Sequence, residues 1–181
     1  DKEGVEWVFV PPAADFLVDP EALMGMACIF YATGDKNNWT IGSKHYDSIN
    51  YGLFYNDWVL ERVVTKIAEE VNRLAGQKIL IGECGHATRT AYDFIPLFAQ
   101  ELQIPVYSWI QYAVEKLRQG KLKLDPNVIK ERVTYHDPCN LARRGRIIDE
   151  PRELINAFIP DFVEKKNIGI CFLHPGFSRD G

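Results

Sequence analysis

Short apolar stretches alternate along this chain with stretches of helical periodicity, and this alternation constrains the fold more than any other feature. The clearest case is KILIGECGHATRTAYDF, residues 78–94, where an apolar run of strand length leads directly into a helical pattern. Strands that alternate with helices predict an α/β domain with a mainly parallel sheet. We therefore expect a Rossmann-like, doubly wound sheet flanked by helices.

The same reasoning assigns an element to most segments. The predicted strands are residues 5–12, 78–83, 104–109, 132–138 and 167–172. The predicted helices are residues 19–33, 56–76, 85–100, 110–120 and 150–159, with a short helical turn near 139–145. The pattern in 56–76 is the clearest, because its apolar residues recur at helical spacing and Gly76 can end the helix. The polar segment 34–52 is predicted to be a long surface loop.

Three of the four cysteines follow predicted strands. They are Cys84, Cys139 and Cys171. In an open α/β sheet, ligands bind outside the carboxyl ends of the strands, so these cysteines are expected at one edge. Cys84 and Cys139 also begin helices, where the dipole and free N–H groups favour a thiolate. Cys28 lies among apolar residues in the middle of a predicted helix and is expected in the core.

The strand–cysteine–helix pattern occurs twice, as a weak internal repeat. It divides the 181 residues into a first α/β half, 1–125, with a Glu-Cys-Gly-His turn, and the start of a second, 126–181, with His-Asp-Pro-Cys. The second half is interpreted as truncated at its C-terminal end. A chain of this length can form one large domain or two small ones.

Charge and hydropathy exclude several classes of protein. The net charge of −4 and the pI of about 5.6 argue against a nucleic-acid-binding protein, which would show a basic face. No apolar run approaches the roughly 20 residues that span a bilayer, and no signal peptide is recognisable. We therefore expect a cytoplasmic protein, in which cysteines in polar turns indicate metal binding or catalysis.

Two local pairs of side chains could chelate a metal ion. Cys84 is followed by His86, and Cys139 is preceded by His136. Two cysteines with two histidines would suit tetrahedral zinc, whereas thiolates of Cys84, Cys139 and Cys171 would suit an iron–sulfur cluster. A nucleophilic cysteine with a histidine base is a third interpretation, and cysteines that only pack within turns are a fourth. The spacing leaves these alternatives open.

Arginines follow the second pair closely. Arg143, Arg144 and Arg146 are predicted either to lie at a solvated helix end or to form a cationic rim that attracts an acidic partner. Arg89 and Tyr92, one and two turns after Cys84, could face the same edge.

Three blocks of the sequence resemble a known family. GECGHATRTAYDF, IPVYSWIQYAVEKL and VTYHDPCNLARRGRIIDEPRELI resemble the cysteine-rich, CCG-type domain of heterodisulfide reductases and of lactate and glycerol-3-phosphate dehydrogenase iron–sulfur subunits. The GECGHA form is most similar to the DsrK-type subunit of the membrane complex linked to dissimilatory sulfite reduction. The likeness extends over nearly the whole chain.

The resemblance implies an iron–sulfur electron-transfer subunit. Electrons would pass from membrane-bound quinol-oxidising subunits to a [4Fe–4S] cluster, of non-cubane type in intact family members. The cluster would cleave a disulfide or trisulfide on a small sulfur-carrier protein. Such a subunit would be cytoplasmic and peripheral to the inner face of the membrane.

The resemblance also implies roles for individual residues. Cys84, Cys139 and Cys171 would hold the cluster, His136 would be a further candidate ligand, and Glu83 and His86 would relay the protons that S–S reduction consumes. The family has two adjacent cysteines where this chain has Cys171-Phe172, so zinc or an empty site is an alternative to the cluster. A zinc-bound or metal-free docking domain is the alternative function, as is an iron–sulfur component of a lactate or glycerol-3-phosphate dehydrogenase.

Overall fold

The computed structural model describes residues 1–45 and 56–165, and within them a parallel sheet is covered by helices. The strands are β1 (Trp7–Val10), β2 (Trp39–Ile41), β3 (Lys78–Ile81) and β4 (Val106–Ser108). The helices are α1 (Ala13–Leu17), α2 (Pro20–Ala32), α3 (Asp57–Arg73), α4 (Gly85–Phe98), α5 (Trp109–Arg118) and α6 (Asp149–Asn156), and a π-helical turn covers Cys139–Arg144.

The sheet has the strand order β2-β1-β3-β4, and every pairing is parallel. Trp7 of β1 lies opposite Trp39 on one side and opposite Lys78 on the other. The chain leaves β1 toward β2 and returns to the other side for β3, so the order reverses between β1 and β3. Such a reversal is a topological switch point, where α/β proteins bind ligands. The predicted parallel α/β fold is confirmed.

Alternate strand residues pack into separate cores on the two faces of the sheet. On one face, Val8 and Ile79 pack against α3 and α4 through residues such as Val64 and Ala91. On the other, the buried side chain of Phe9 packs with residues of α2 and α5. Burial of a large apolar side chain contributes about 1.5–3 kcal/mol, so both faces hold the sheet between helices. Helices therefore flank the sheet on both sides, as the alternation predicted.

A buried polar network ties the end of α2 to α5. Lys116 Nζ lies 2.5 Å from Asp35 Oδ2, and the hydroxyl group of Tyr112 donates to the same oxygen at 2.8 Å. The hydroxyl groups of Thr33 and Tyr112 are 2.8 Å apart. Burial alone would raise the pKa of Asp35, but hydrogen bonds from Lys116 and Tyr112 and the charge of Lys116 hold it below its usual value.

Several predictions about single elements are wrong. Segment 132–138 forms no strand of the sheet and makes only one parallel bridge, between Val133 and Phe162. Segment 34–52 is not wholly loop, because it contains β2. Cys28 is exposed, not in the core, since α2 buries Met26 and Phe30 instead.

Other predictions fall outside the described residues. The predicted strand 167–172 and Cys171 lie there, as does residue 174. The division into halves 1–125 and 126–181 stays a prediction.

Candidate functional site

The turn that carries Cys84 lies at the switch point of the sheet. β3 ends at Ile81, and Cys84 is the N-cap of α4, with an extended backbone at φ −73° and ψ 114°. Gly82 between them permits close packing, because a Cβ there would lie 2.7 Å from Pro12 Cδ, beyond the end of β1. The ends of β1 and β3 are therefore in contact where Cys84 leaves the sheet.

The turn that carries Cys139 packs against the same helix start. A Cβ on Gly85 would lie only 3.2 Å from the backbone nitrogen of Leu141, so a glycine at this position lets the π-helical turn approach α4. Arg89 Nη1 donates to Asn140 Oδ1 at 3.3 Å across this contact. Asn140 Nδ2 in turn lies 3.7 Å from Cys139 Sγ. The structure thus brings the two cysteine-bearing turns together.

Burial determines the protonation of Cys84. The thiol is half-buried, and burial raises its pKa, with smaller upward contributions from the charges of Glu83 and Asp15. The backbone N–H groups of His86 and Ala87 act in the opposite direction but do not outweigh burial. The expectation that the start of α4 favours a thiolate is therefore wrong for Cys84. Cys139, in contrast, is exposed.

The two predicted proton carriers lie on either side of Cys84. Glu83 is exposed at the end of β3, and desolvation of its carboxyl group, followed by the charge of Asp19, raises its pKa. A raised pKa makes a carboxyl group a better proton donor near neutral pH. His86 is half-buried in the first turn of α4, where its backbone carbonyl accepts from Thr90 Oγ1 at 2.8 Å.

An arginine that sequence reasoning missed holds the second cysteine turn. Asp137 is buried, and Arg152 of α6 grips both of its carboxylate oxygens at 2.9 and 2.8 Å. Arg152 also donates to the carbonyl oxygen of Ile148 and to Glu164. Asp137 and then Glu164 raise the pKa of Arg152, so it stays charged. The block HDPC…EPRE contained both partners, but spacing alone does not show that they pair.

The described residues do not complete a metal site. Within 1–45 and 56–165, no group of three or more His, Cys, Asp or Glu side chains is arranged to hold a metal ion. His136 is exposed next to Asp137. Cys171 lies outside the described residues, so its place with Cys84 and Cys139 stays a prediction.

Opposite charges flank the cysteine turns. Glu83 and Asp15 are close enough to Cys84 for their charges to raise its pKa, and Asp19 acts likewise on Glu83. The π-helical turn presents exposed arginines instead. They are Arg143, Arg144 and Arg146. Acidic groups therefore lie toward α1 and α2, and basic groups toward the Cys139 turn.

Fold and site together define a class of protein: a parallel α/β domain whose cysteine turns meet at the carboxyl edge of the sheet. Sequence comparison then indicates relatives. The chain is 26% identical, over 91% of its length, to the Hdr-like menaquinol oxidoreductase iron–sulfur subunit of Archaeoglobus profundus and to iron–sulfur subunit 2 of the Archaeoglobus fulgidus enzyme. It is 27% identical, over 74% of its length, to a subunit of the dihydromethanophenazine:CoB–CoM heterodisulfide reductase of Methanosarcina mazei.

These relatives support the heterodisulfide-reductase-like part of the resemblance. The chain covers 36% of each Archaeoglobus protein and 32% of the Methanosarcina protein, so it spans about a third of their length. No protein-family model and no solved structure matches the chain. Among the helices described, none is long and apolar enough to cross a bilayer.

Proposed function

We propose that this chain is part of an iron–sulfur electron-transfer subunit of heterodisulfide-reductase type. The observation that carries the proposal is the contact between the Cys84 and Cys139 turns at the switch point of a parallel sheet. Similarity to iron–sulfur subunits over 91% of the chain supports it. Thiolates are the usual ligands of iron–sulfur clusters.

The residues present fit part of such a cluster. A [4Fe–4S] cluster takes about four thiolate ligands, and Cys84 and Cys139 would supply two of them. Cys171 would supply a third, with His136 as a further candidate. A metal cation deprotonates a coordinating thiol outright, which would overcome the effect of burial at Cys84. The bound cluster would accept and pass on single electrons.

The side chains near Cys84 would serve proton transfer. Reductive cleavage of an S–S bond takes two electrons and two protons and yields two thiols. Glu83, with its raised pKa, and His86 would deliver the protons, and each lies within two residues of Cys84.

The finer assignment follows from the resemblance. The subunit would be of DsrK type, peripheral to the cytoplasmic face of the membrane, and reduced by quinol-oxidising membrane subunits. Its substrate would be a disulfide or trisulfide on a small sulfur-carrier protein.

Iron binding by single-cysteine variants tests the proposal. After anaerobic reconstitution of this chain, we expect Cys84→Ser and Cys139→Ser to lose the iron, the sulfide and the visible absorption. Cys28→Ser is the matched control, because Cys28 is exposed on α2, and it should keep all three. Far-UV circular dichroism should be unchanged in each variant, since both site cysteines lie in turns.

Three outcomes would contradict the proposal. Unchanged iron in Cys139→Ser would remove that residue from the site. One zinc ion per chain without colour would favour the docking domain, and rapid alkylation of one cysteine in metal-free protein would favour a thiol enzyme.

A further inference from the structure

An apolar cleft of about 230 Å³ opens beside Cys84 on the α2 side of the sheet. Met26 and Ile29 of α2 form one wall, and Trp109 at the start of α5 forms another. Two carboxylates also line it: Asp15, which follows β1, and Glu83, which follows β3. The cleft therefore lies at the switch point between β1 and β3, where this fold class binds partners and ligands.

Gly25 keeps the cleft open. It lies in the middle of α2, where glycine costs about 1 kcal/mol relative to alanine. A Cβ at this position would meet no atom within 4 Å, so core packing does not require a glycine. Its lack of a side chain instead preserves space in the cleft, of which Gly25 is a lining residue.

The helices around the cleft expose an unusual amount of apolar surface. Five of the nine large hydrophobic side chains that are exposed in the described part of the chain belong to α1, α2 and the turn between them: Phe16, Leu17, Val18, Met24 and Tyr31. Leu17 and Val18 are 82% and 81% exposed. Clustered exposed apolar residues mark an interaction surface, whereas scattered ones do not.

The charge of this surface is of one sign. Residues 13–32 contain Asp15, Asp19 and Glu21 but no lysine, arginine or histidine. Anionic lipid headgroups would be repelled by such a surface. A protein segment with basic side chains would be attracted to it.

The size of the cleft distinguishes between two kinds of occupant. Sites for drug-sized ligands measure roughly 300–1,000 Å³, above the volume found here. A smaller pocket within an apolar surface is typical of an interface that receives one anchor side chain. We propose that the cleft receives an apolar anchor side chain from a partner protein, on a segment that also carries lysine or arginine.

This inference goes beyond the proposed function and does not depend on iron. Two synthetic helical peptides of equal length test it, one built from leucine and lysine and the other from leucine and glutamate. Titration calorimetry with the full chain should give micromolar binding of the Leu/Lys peptide and at least about tenfold weaker binding of the Leu/Glu peptide.

Matched variants separate the cleft from the general surface charge. Gly25→Leu fills the cleft without a clash and should weaken Leu/Lys peptide binding at least about tenfold. Ala32→Leu, at the exposed end of α2, should leave the affinity unchanged. Asp19→Asn should weaken binding a few-fold, whereas Glu101→Gln, exposed after α4, should not. Thermal unfolding confirms that each variant folds.

Other results would overturn the inference. These are absent binding, equal binding of both peptides, or equal effects of Gly25→Leu and Ala32→Leu. If Gly25→Leu fails to fold, an unaltered affinity in Asp19→Asn would be decisive. Native mass spectrometry of the same sample would reveal the two other occupants, a second copy of the chain or a bound small molecule, and either would replace the partner proposed here.

Discussion

Glycine residues decide how closely the turns of the candidate site can pack. Gly145, which ends the π-helical turn, donates its N–H to the carbonyl oxygen of Asn140 at 2.8 Å. A Cβ at Gly145 would lie 2.6 Å from the carbonyl oxygen of Leu141, closer than van der Waals contact permits. The tight end of the Cys139 turn thus depends on the missing side chain.

Gly145→Ala should destabilise the protein by about 1–3 kcal/mol, because the turn must open to admit the methyl group. Urea unfolding measures the change. Gly25→Ala is the control, since its Cβ meets nothing, and it should stabilise α2 by about 0.5–1 kcal/mol. Equal stability of wild type and Gly145→Ala would show that the turn is not constrained at this residue.

At the scale of elements, α6 supports the Cys139 turn through one buried ion pair. Side-chain exposure is 12% for Arg152 and 4% for Asp137. Loss of one partner from such a pair leaves a buried charge without compensation, and this costs far more than loss of an exposed pair.

Arg152→Gln should therefore cost about 3 kcal/mol of unfolding free energy and increase hydrogen exchange in residues 137–147. Arg132→Gln is the matched control, because Arg132 pairs with Asp161 at the surface, where loss should cost less than about 1 kcal/mol. Similar costs for both variants would show that burial does not strengthen the Asp137 pair.

The sequence predicts the long elements well, because their apolar periodicity is local. The helix expected over 56–76 is found at Asp57–Arg73, and the one expected over 85–100 at Gly85–Phe98. β2 was missed because its three residues lie in a polar segment and pair only with distant β1. An extended pattern in 132–138 predicted a strand, but the segment finds only the bridge to Phe162.

The site was predictable in position but not in chemistry. The strand–turn–helix pattern around Cys84 indicated the carboxyl edge of the sheet correctly. The burial that raises the pKa of Cys84 depends on tertiary packing, which spacing does not reveal. Likewise, the apolar surroundings of Cys28 in the sequence did not show which face of α2 meets the core.

At the scale of the whole molecule, buried carboxylates link stability to pH. Glu70 of α3 is 2% exposed, accepts from Arg73 at 2.7 Å and from the backbone of Lys44 at 3.1 Å. The hydrogen bond from Arg73 is the main cause that lowers the pKa of Glu70 from 4.5 to about 2. A pKa that is lower in the folded state stabilises the protein above the unfolded value, and the gain disappears as pH falls.

The free energy of unfolding should therefore fall by up to about 2 kcal/mol through Glu70 between pH 4.5 and pH 2. Urea unfolding over this range should show a flatter slope for Glu70→Gln. Glu69→Gln, whose carboxylate is exposed beside Lys66, should retain the wild-type slope. An unchanged slope in Glu70→Gln would remove Glu70 from acid denaturation.

The division of charge around Cys84 has a consequence for encounter kinetics. Carboxylates on the α1–α2 side and arginines on the π-helical turn give this rim an electric dipole, which rotates an approaching dipolar molecule before any contact forms. A redox partner would arrive already oriented, with its basic end over α2 and its acidic end over the Cys139 turn. Added salt should therefore slow capture far more than it shortens the lifetime of the bound state.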